Sequence, residues 1–259
     1  MTSMPIPEHL LSLLVLAPFS LYFLVRLAQY LTIKALGREV PVDQEMIEKG
    51  QSFILGRTLR QIFAFAAAPI HRFLQATGVN PDFLTLANLA FSIIAATLIG
   101  LGAVSLGGAI ALVGSSLDYL DGRLARGSGR VSLAGNFLDS TLDRYSDIAL
   151  FSGAAVLFRV SVPMLTACLL GLGSAVVISY SRAKAESLGY DLRVGLMQRP
   201  ERIVLFCTGA ILTPFVDPLF PTSIQGRHAL FAGTVFFLAI LATITAVHRT
   251  VAGYAALRR

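Results

Sequence analysis

The sequence predicts an all-α, polytopic integral membrane bundle, and three observations carry that prediction. First, 55% of its 259 residues are hydrophobic and only 14% are charged, whereas soluble domains carry about 25% charged residues; the mean hydropathy is +0.71. Second, apolar runs recur at residues 10–31, 84–106, 107–120, 137–157, 164–180, 203–219 and 230–247, and a bilayer core takes about 20 apolar residues per helix. Third, the cations sort by side. With seven crossings, 19 of the 21 Lys and Arg fall within residues 26–72, 123–144, 182–202 and 249–259, leaving only Arg159 and Arg227 on the opposite loops. The positive-inside rule then places the basic clusters and the carboxyl end in the cytoplasm and the amino end outside. These figures exclude a disordered or collagen-like chain. The net charge of +6 needs no nucleic acid to explain it, because topology accounts for most of it.

Each element has its own reason. The run 10–31 has no basic n-region and no small-residue cleavage site after it, so it reads as a retained helix rather than a signal peptide. Residues 34–60 are the one extended polar stretch and read as a cytoplasmic linker. Residues 61–76, QIFAFAAAPIHRFLQA, read as an amphipathic helix lying along the membrane interface. The run 107–120 is too short to cross unless its helix continues into the polar stretch after Asp118. Cys168 and Cys207 both sit in apolar runs and offer neither a disulfide framework nor a metal spacing.

Chemistry concentrates in one place. Five of the 15 acidic residues fall between positions 118 and 147, in SSLDYLDGRLARGSGRVSLAGNFLDSTLDRYSD. Asp118 and Asp121 are three apart and Asp139 and Asp143 four apart, spacings that put each pair on one helical face. Two helices joined by the connection 127–136 would thus aim four carboxylates at one another. Ser115 and Ser116 leave open that Asp118 belongs to a helix terminus. Carboxylates at membrane depth are costly and repel one another, so a cation is the natural partner. All-oxygen ligands favour Mg²⁺, Mn²⁺ or Ca²⁺. Asp147 extends the stripe by a turn, with Arg144 or Arg130 as its expected partner.

The same stretch matches, without a gap, D-x2-D-G-x2-A-R-x8-G-x3-D-x3-D, at Asp118, Asp121, Gly122, Ala125, Arg126, Gly135, Asp139 and Asp143. It therefore resembles the CDP-alcohol phosphatidyltransferase family, over about residues 61–259. The resemblance implies a six-helix catalytic bundle there, with residues 1–60 as an added transmembrane helix and linker. It implies two divalent ions, Mg²⁺ or Mn²⁺, held by Asp118, Asp121, Asp139 and Asp143, with Asp143 also the general base. It implies a CDP-lipid held by Asp118, Gly122, Ala125, Arg126 and Ser132. Upstream, GVNPDFLTL resembles the family's G-x-x-P-[DN]-x-x-T start of the first core helix, which adds Asp82 and Thr85 to the donor side. Locally, Pro81 and Asp82 also suit a plain helix start. Family members tend to be homodimers, so a homodimer is expected; Gly100, Gly102, Gly107 and Gly108 allow close helix packing within or between chains.

The second basic cluster reads SYSRAKAESLGYDLRVGLMQRPERIVL. Ser179, Arg182, Lys184, Arg199 and Arg202, joined by Arg249, are the cations and hydroxyl that a small phosphorylated alcohol would need, although positive-inside topology alone explains several. The stretch resembles the S-Y-x-K-A-R-A-E…R-P-E-R segment of phosphatidylinositol-phosphate synthases, with Arg182 and Lys184 in reversed order. It implies myo-inositol 1-phosphate as acceptor and CDP-diacylglycerol as donor, with inositol, glycerol 3-phosphate and serine as alternatives. The expected setting is a multi-pass protein of the bacterial cytoplasmic membrane, among membrane lipids, with its active site on the cytoplasmic side. A UbiA-type prenyltransferase would carry two widely separated Asp motifs rather than one block. A cation transporter would place its acids near mid-span, with a polar route on the outer side.

Overall fold

Turn chemistry, more than hydropathy, decides where the helices start and stop. A computed structural model describes residues 8–38, 57–192, 194–195, 197–219 and 228–258. Residues 39–56, most of the expected polar linker, lie outside the described residues. The helices are α1 (Glu8–Ala35), α2 (Arg57–Thr77), α3 (Pro81–Gly100), α4 (Val104–Gly127), α5 (Leu133–Leu157), α6 (Val162–Ser187), α7 (Arg199–Val216) and α8 (Ala229–Leu257), with a 3-10 turn at Asp217–Leu219. No strand occurs among the described residues.

Asn80 caps α3, its side chain accepting from the Asp82 amide at 3.1 Å while Pro81 occupies the first turn, where its missing N–H costs nothing. Gly102, at φ +93°, ends α3 in a conformation that other residues avoid. Ser132 caps α5 by accepting from the Gly135 amide at 2.9 Å. Asp217 ties the end of α7 to the start of α8, accepting from the His228 and Leu230 amides at 2.5 and 3.2 Å.

The motif helix differs from its hydropathy profile. The apolar run 107–120 is only the middle of α4, which spans 24 residues, about 36 Å at the helical rise. Asp118 and Asp121 therefore stand inside a continuous helix, and the helix-terminus alternative for Asp118 falls away. Residues 84–106 divide between α3 and α4 at Gly102. Among the described residues, five helices are long and apolar enough to cross a membrane, namely α1, α3, α6, α7 with its 3-10 extension, and α8. The other two long helices of the core, α4 and α5, carry the aspartates.

Helix α3 packs along α4 and α5, α4 also meets α7, and α8 closes the bundle against α6 and α7. One close approach is backbone to backbone: a Cβ on Gly153 of α5 would collide with the Ala96 carbonyl of α3 and come within 2.7 Å of the Ala96 Cα. The apolar core runs through Ile99, Val104, Leu150, Phe206, Phe231 and Leu238. Phe206 packs edge-on against Phe231 at 5.1 Å between centroids. Six helices, α3 to α8, thus make the all-α bundle that the sequence predicts. The added α1 lies at its periphery, and α2 is the expected amphipathic helix, longer than predicted and carrying Pro69.

Candidate active site

The site forms where the second half of α4 faces the first half of α5. One carboxylate oxygen each from Asp118, Asp121 and Asp139 lies within 4.8 Å of the others. Helical spacing does this work, since residues three and four apart share a face and the two faces are turned toward each other. Asp121 is buried, and both its oxygens are engaged: Oδ2 accepts from Thr85 Oγ1 at 2.7 Å and Oδ1 from the Gly122 amide at 2.5 Å. Its orientation is therefore set before any ligand arrives. Three hard oxygen donors converging between two helices suit a divalent cation of the Mg²⁺ or Mn²⁺ kind.

Asp143 stands a turn along α5 and outside that trio. Its Oδ1 lies 2.9 Å from Nη2 of Arg199, an ion-pair contact without hydrogen-bond alignment. The same guanidinium donates from Nη1 to Asp118 Oδ2 at 2.7 Å and brings Nε within 3.8 Å of Asp147. Arg199 is thus an internal cation spanning three aspartates from two helices. Asp147 is buried and accepts from Arg202 Nη2 at 2.8 Å. The expected pairing of Asp147 with Arg144 or Arg130 is corrected here. Arg144 lies 3.6 Å from Asp143, and Arg130 donates to the Gly78 carbonyl at 3.1 Å. Spacing alone would allow Arg144 to reach Asp147, three residues on along the same face, but Arg202 takes Asp147 Oδ2 and Arg199 stands nearest Oδ1.

Two of the residues expected on the donor side meet near the α3 start. A Cβ on Gly135 would touch Ser132 Oγ at 3.1 Å and Asp82 Oδ1 at 3.4 Å, so Asp82 and Ser132 share one small space. Ala125 is half-buried and Arg126 exposed. The Arg126 guanidinium lies over Gly122, where a Cβ would meet Nη1 at 3.3 Å.

The expected acceptor residues divide. Arg199 and Arg202 join the aspartates. Arg249 is buried on α8, donating to the carbonyls of Val194 at 2.5 Å and Ile178 at 2.9 Å. Arg182, Arg202 and Glu201 are its charged neighbours. Gly195, at φ +122°, allows that approach, since a Cβ there would stand 2.6 Å from Thr245 Cγ2 and 3.3 Å from Arg249 Nε. Ser179, next to Ile178, is half-buried. Arg182 pairs with Glu186 at 2.8 Å on an exposed turn, and Lys184 is exposed beside it.

Sequence reasoning missed the grip of Arg199 on Asp118 and Asp143, and it missed two polar side chains of α2. Gln75 donates to the Gly127 carbonyl at 2.6 Å, and His71 Nε2 meets the Arg123 carbonyl at 3.1 Å. Gly127 ends α4, and its carbonyl, having no helical partner, needs such a donor. A His and a Gln four apart on an amphipathic helix were the available signal.

Residues 78–256 match the family model described as CDP-alcohol phosphatidyltransferase. The chain is 37% identical over 183 residues to the archaetidylinositol phosphate synthase of Pyrococcus horikoshii, covering 70% of this chain and 86% of that protein. It is 34% identical over 194 residues to the phosphatidylinositol phosphate synthase of Mycobacterium tuberculosis, covering 73% and 86%. A crystal structure of the M. tuberculosis phosphatidylinositol phosphate synthase with CDP-DAG bound superposes with a TM-score of 0.62 at 30% identity, over 73% of this chain and 93% of that one. The structure in complex with manganese and citrate gives 0.63 at 30% identity, over 72% and 88%. With the family match covering most of its length, and its signature aspartates gathered between two helices of a membrane-type bundle, the chain belongs to the CDP-alcohol phosphatidyltransferase family of metal-dependent transferases.

Proposed function

We propose that this enzyme transfers the phosphatidyl group of CDP-diacylglycerol to myo-inositol 1-phosphate and releases CMP. The observation that carries this reading is the adjacency of two opposite charge sets. Asp118, Asp121 and Asp139 converge within 4.8 Å, while Arg199 donates to Asp118 and Arg202 to Asp147 at the same end of the bundle, with Arg249 a charged neighbour of Arg202. The first set suits a diphosphate bound through divalent ions, and the second suits an acceptor that itself carries a phosphate.

Two Mg²⁺ or Mn²⁺ ions held by Asp118, Asp121, Asp139 and Asp143 would neutralise diphosphate charge as CMP departs. The rest falls to side chains. Arg126 presents a planar fork for phosphate oxygens, and Asp82, Thr85, Gly122, Ala125 and Ser132 frame the nucleotide. Ser179, Arg182, Lys184, Arg199, Arg202 and Arg249 receive the acceptor. Asp143 takes the proton from the acceptor hydroxyl as its oxygen attacks the lipid-side phosphorus. That P–O bond forms as the bond from phosphorus to the CMP phosphate oxygen breaks. In this reading the aspartate end of the bundle faces the cytoplasm, and the enzyme works as a homodimer among membrane lipids.

An acceptor panel tests it. Purified protein is given CDP-diacylglycerol, Mn²⁺ or Mg²⁺, and in turn inositol 1-phosphate, inositol, glycerol 3-phosphate or serine, with CMP release as readout. Release should be fastest with inositol 1-phosphate and stop on chelation. Faster release with an unphosphorylated alcohol would reject the acceptor, and no release with any acceptor would reject the reaction.

A further inference from the structure

Pro69 lies inside α2 and has no N–H, so the carbonyl four residues back, that of Phe65, has no helical donor. The added helix α1 supplies one. Arg26 Nη2 donates to the Phe65 carbonyl at 2.7 Å, and its guanidinium sits 4.1 Å from the centre of the Phe65 ring. Four residues earlier on the same face of α1, Tyr22 Oη donates to the next carbonyl, Ala66, at 2.6 Å. One turn beyond Arg26, the buried Tyr30 lies edge-on to Phe65 and reaches Gln61 at 3.3 Å. An arginine within an apolar helix is retained where it has such partners. Helix α1 also touches α4 directly, through Ser12 and Ser105 at 2.8 Å.

The far side of α2 holds the donor half of the site. Ala67 and Leu74 pack with Leu84, Leu120 and Leu124, and Phe63 meets Tyr119 edge-on at 4.9 Å. His71 and Gln75 take the carbonyls of Arg123 and Gly127. The segment they brace carries Asp121, Gly122 and Arg126.

We propose that Arg26 and Tyr22 of the added amino-terminal helix are positioning residues for CDP-lipid binding: by donating to the carbonyls of Phe65 and Ala66, in the turn before Pro69, they fix the placement of α2 against α1, and α2 fixes the last turns of α4. The kinetic part of this role presupposes that the α4 end grips a CDP-lipid, whereas the mechanical part does not.

Hydrogen exchange and kinetics on the full-length detergent-solubilised protein test the two parts separately. Arg26→Ala should speed amide exchange in residues 61–77 and 119–127 and leave α6 to α8 unchanged. It should raise KM for CDP-diacylglycerol about ten-fold and leave the acceptor KM within about two-fold. Tyr22→Phe, which removes one hydroxyl, should give a smaller shift of the same kind, and Arg26→Lys should recover part of the loss. Pro69→Ala gives the Phe65 carbonyl its own helical donor, so adding Arg26→Ala to that variant should change donor KM by less than about two-fold. Unchanged exchange in Arg26→Ala overturns the brace, as does a full additive loss in the double variant. Equal rises in donor and acceptor KM overturn the donor-specific role. If the wild-type protein releases no CMP, the proposed reaction fails while the exchange data still decide the brace.

Discussion

Thr85→Val isolates one hydrogen bond at the centre of the site. Thr85 Oγ1 has a single proton and two acceptors within reach, Asp121 Oδ2 at 2.7 Å and the Pro81 carbonyl at 3.3 Å. The carboxylate takes it, because the contact is shorter and charge-assisted. Both side chains are buried, each residue being 3% exposed, so water does not replace the lost donor. A hydrogen bond to a charged group contributes about 1.5–3 kcal/mol. Valine keeps the shape of threonine and removes only the hydroxyl, leaving Asp121 oriented by the Gly122 amide alone. Part of the loss falls on the metal-free protein as well, so the expected fall in Mn²⁺ affinity is about ten-fold, the lower end for a residue that orients a metal ligand. Free Mn²⁺, followed by its electron paramagnetic resonance signal during titration, reads this directly. At saturating Mn²⁺, kcat should return to within about three-fold of wild type, because the acceptor side is untouched. Thr85→Ser keeps the hydroxyl and should bind Mn²⁺ as wild type does. If Thr85→Val binds Mn²⁺ with unchanged affinity, the hydroxyl does not orient a metal ligand and the reasoning fails.

Three further substitutions have definite outcomes. Asp143→Asn should lower kcat by about 10²–10⁴-fold with little change in KM for CDP-diacylglycerol; activity retained in a CMP-release assay rejects the aspartate as base. Arg202→Met should lower stability by about 3–5 kcal/mol, because it leaves Asp147 buried without its main partner, the two side chains being 3% and 4% exposed. Adding Asp147→Leu should restore much of the thermal stability in detergent but not the acceptor KM, which separates the structural share of Arg202 from its binding share. Gly153→Ala should destabilise the bundle, because the new methyl lands on the Ala96 backbone rather than on a side chain that can move. Gly173→Ala, with nothing within 4 Å of the added methyl, is the matched control and should be neutral or slightly stabilising; equal melting temperatures for the two variants would refute the close-packing argument.

What could be read in the sequence was whatever depends on neighbours along one helix. Asp118 with Asp121, and Asp139 with Asp143, share faces by spacing alone, and the structure brings Asp118, Asp121 and Asp139 together while Asp143 stands outside the trio. The Asn80–Pro81 start of α3 and the Ser132 cap of α5 are equally local. Hydropathy failed where chemistry interrupts an apolar run: α4 continues past it as one helix, because Asp118 and Asp121 keep helical geometry while facing a site rather than lipid.

The arginines show why the rest was hidden. Arg199 bonds Asp118 across 81 positions of sequence, and Arg202 bonds Asp147 across 55. Neither pairing has a periodicity to reveal it, since α7 meets α4 and α5 only through the packing of the whole bundle. Positive-inside topology and an anionic acceptor both predict cations at 199 and 202, so charge alone cannot distinguish them. Burial can. A topogenic arginine keeps its head in water, whereas Arg202 is 2% exposed and held by a carboxylate of α5. That cost is offset only by a partner, and the partner belongs to the same stripe of aspartates that begins at Asp139. The acidic and basic clusters, read from sequence as two separate features serving two substrates, are therefore one charge-compensated network. A substitution in either should alter the other, which is why metal affinity and acceptor KM have to be measured together in every variant of this site.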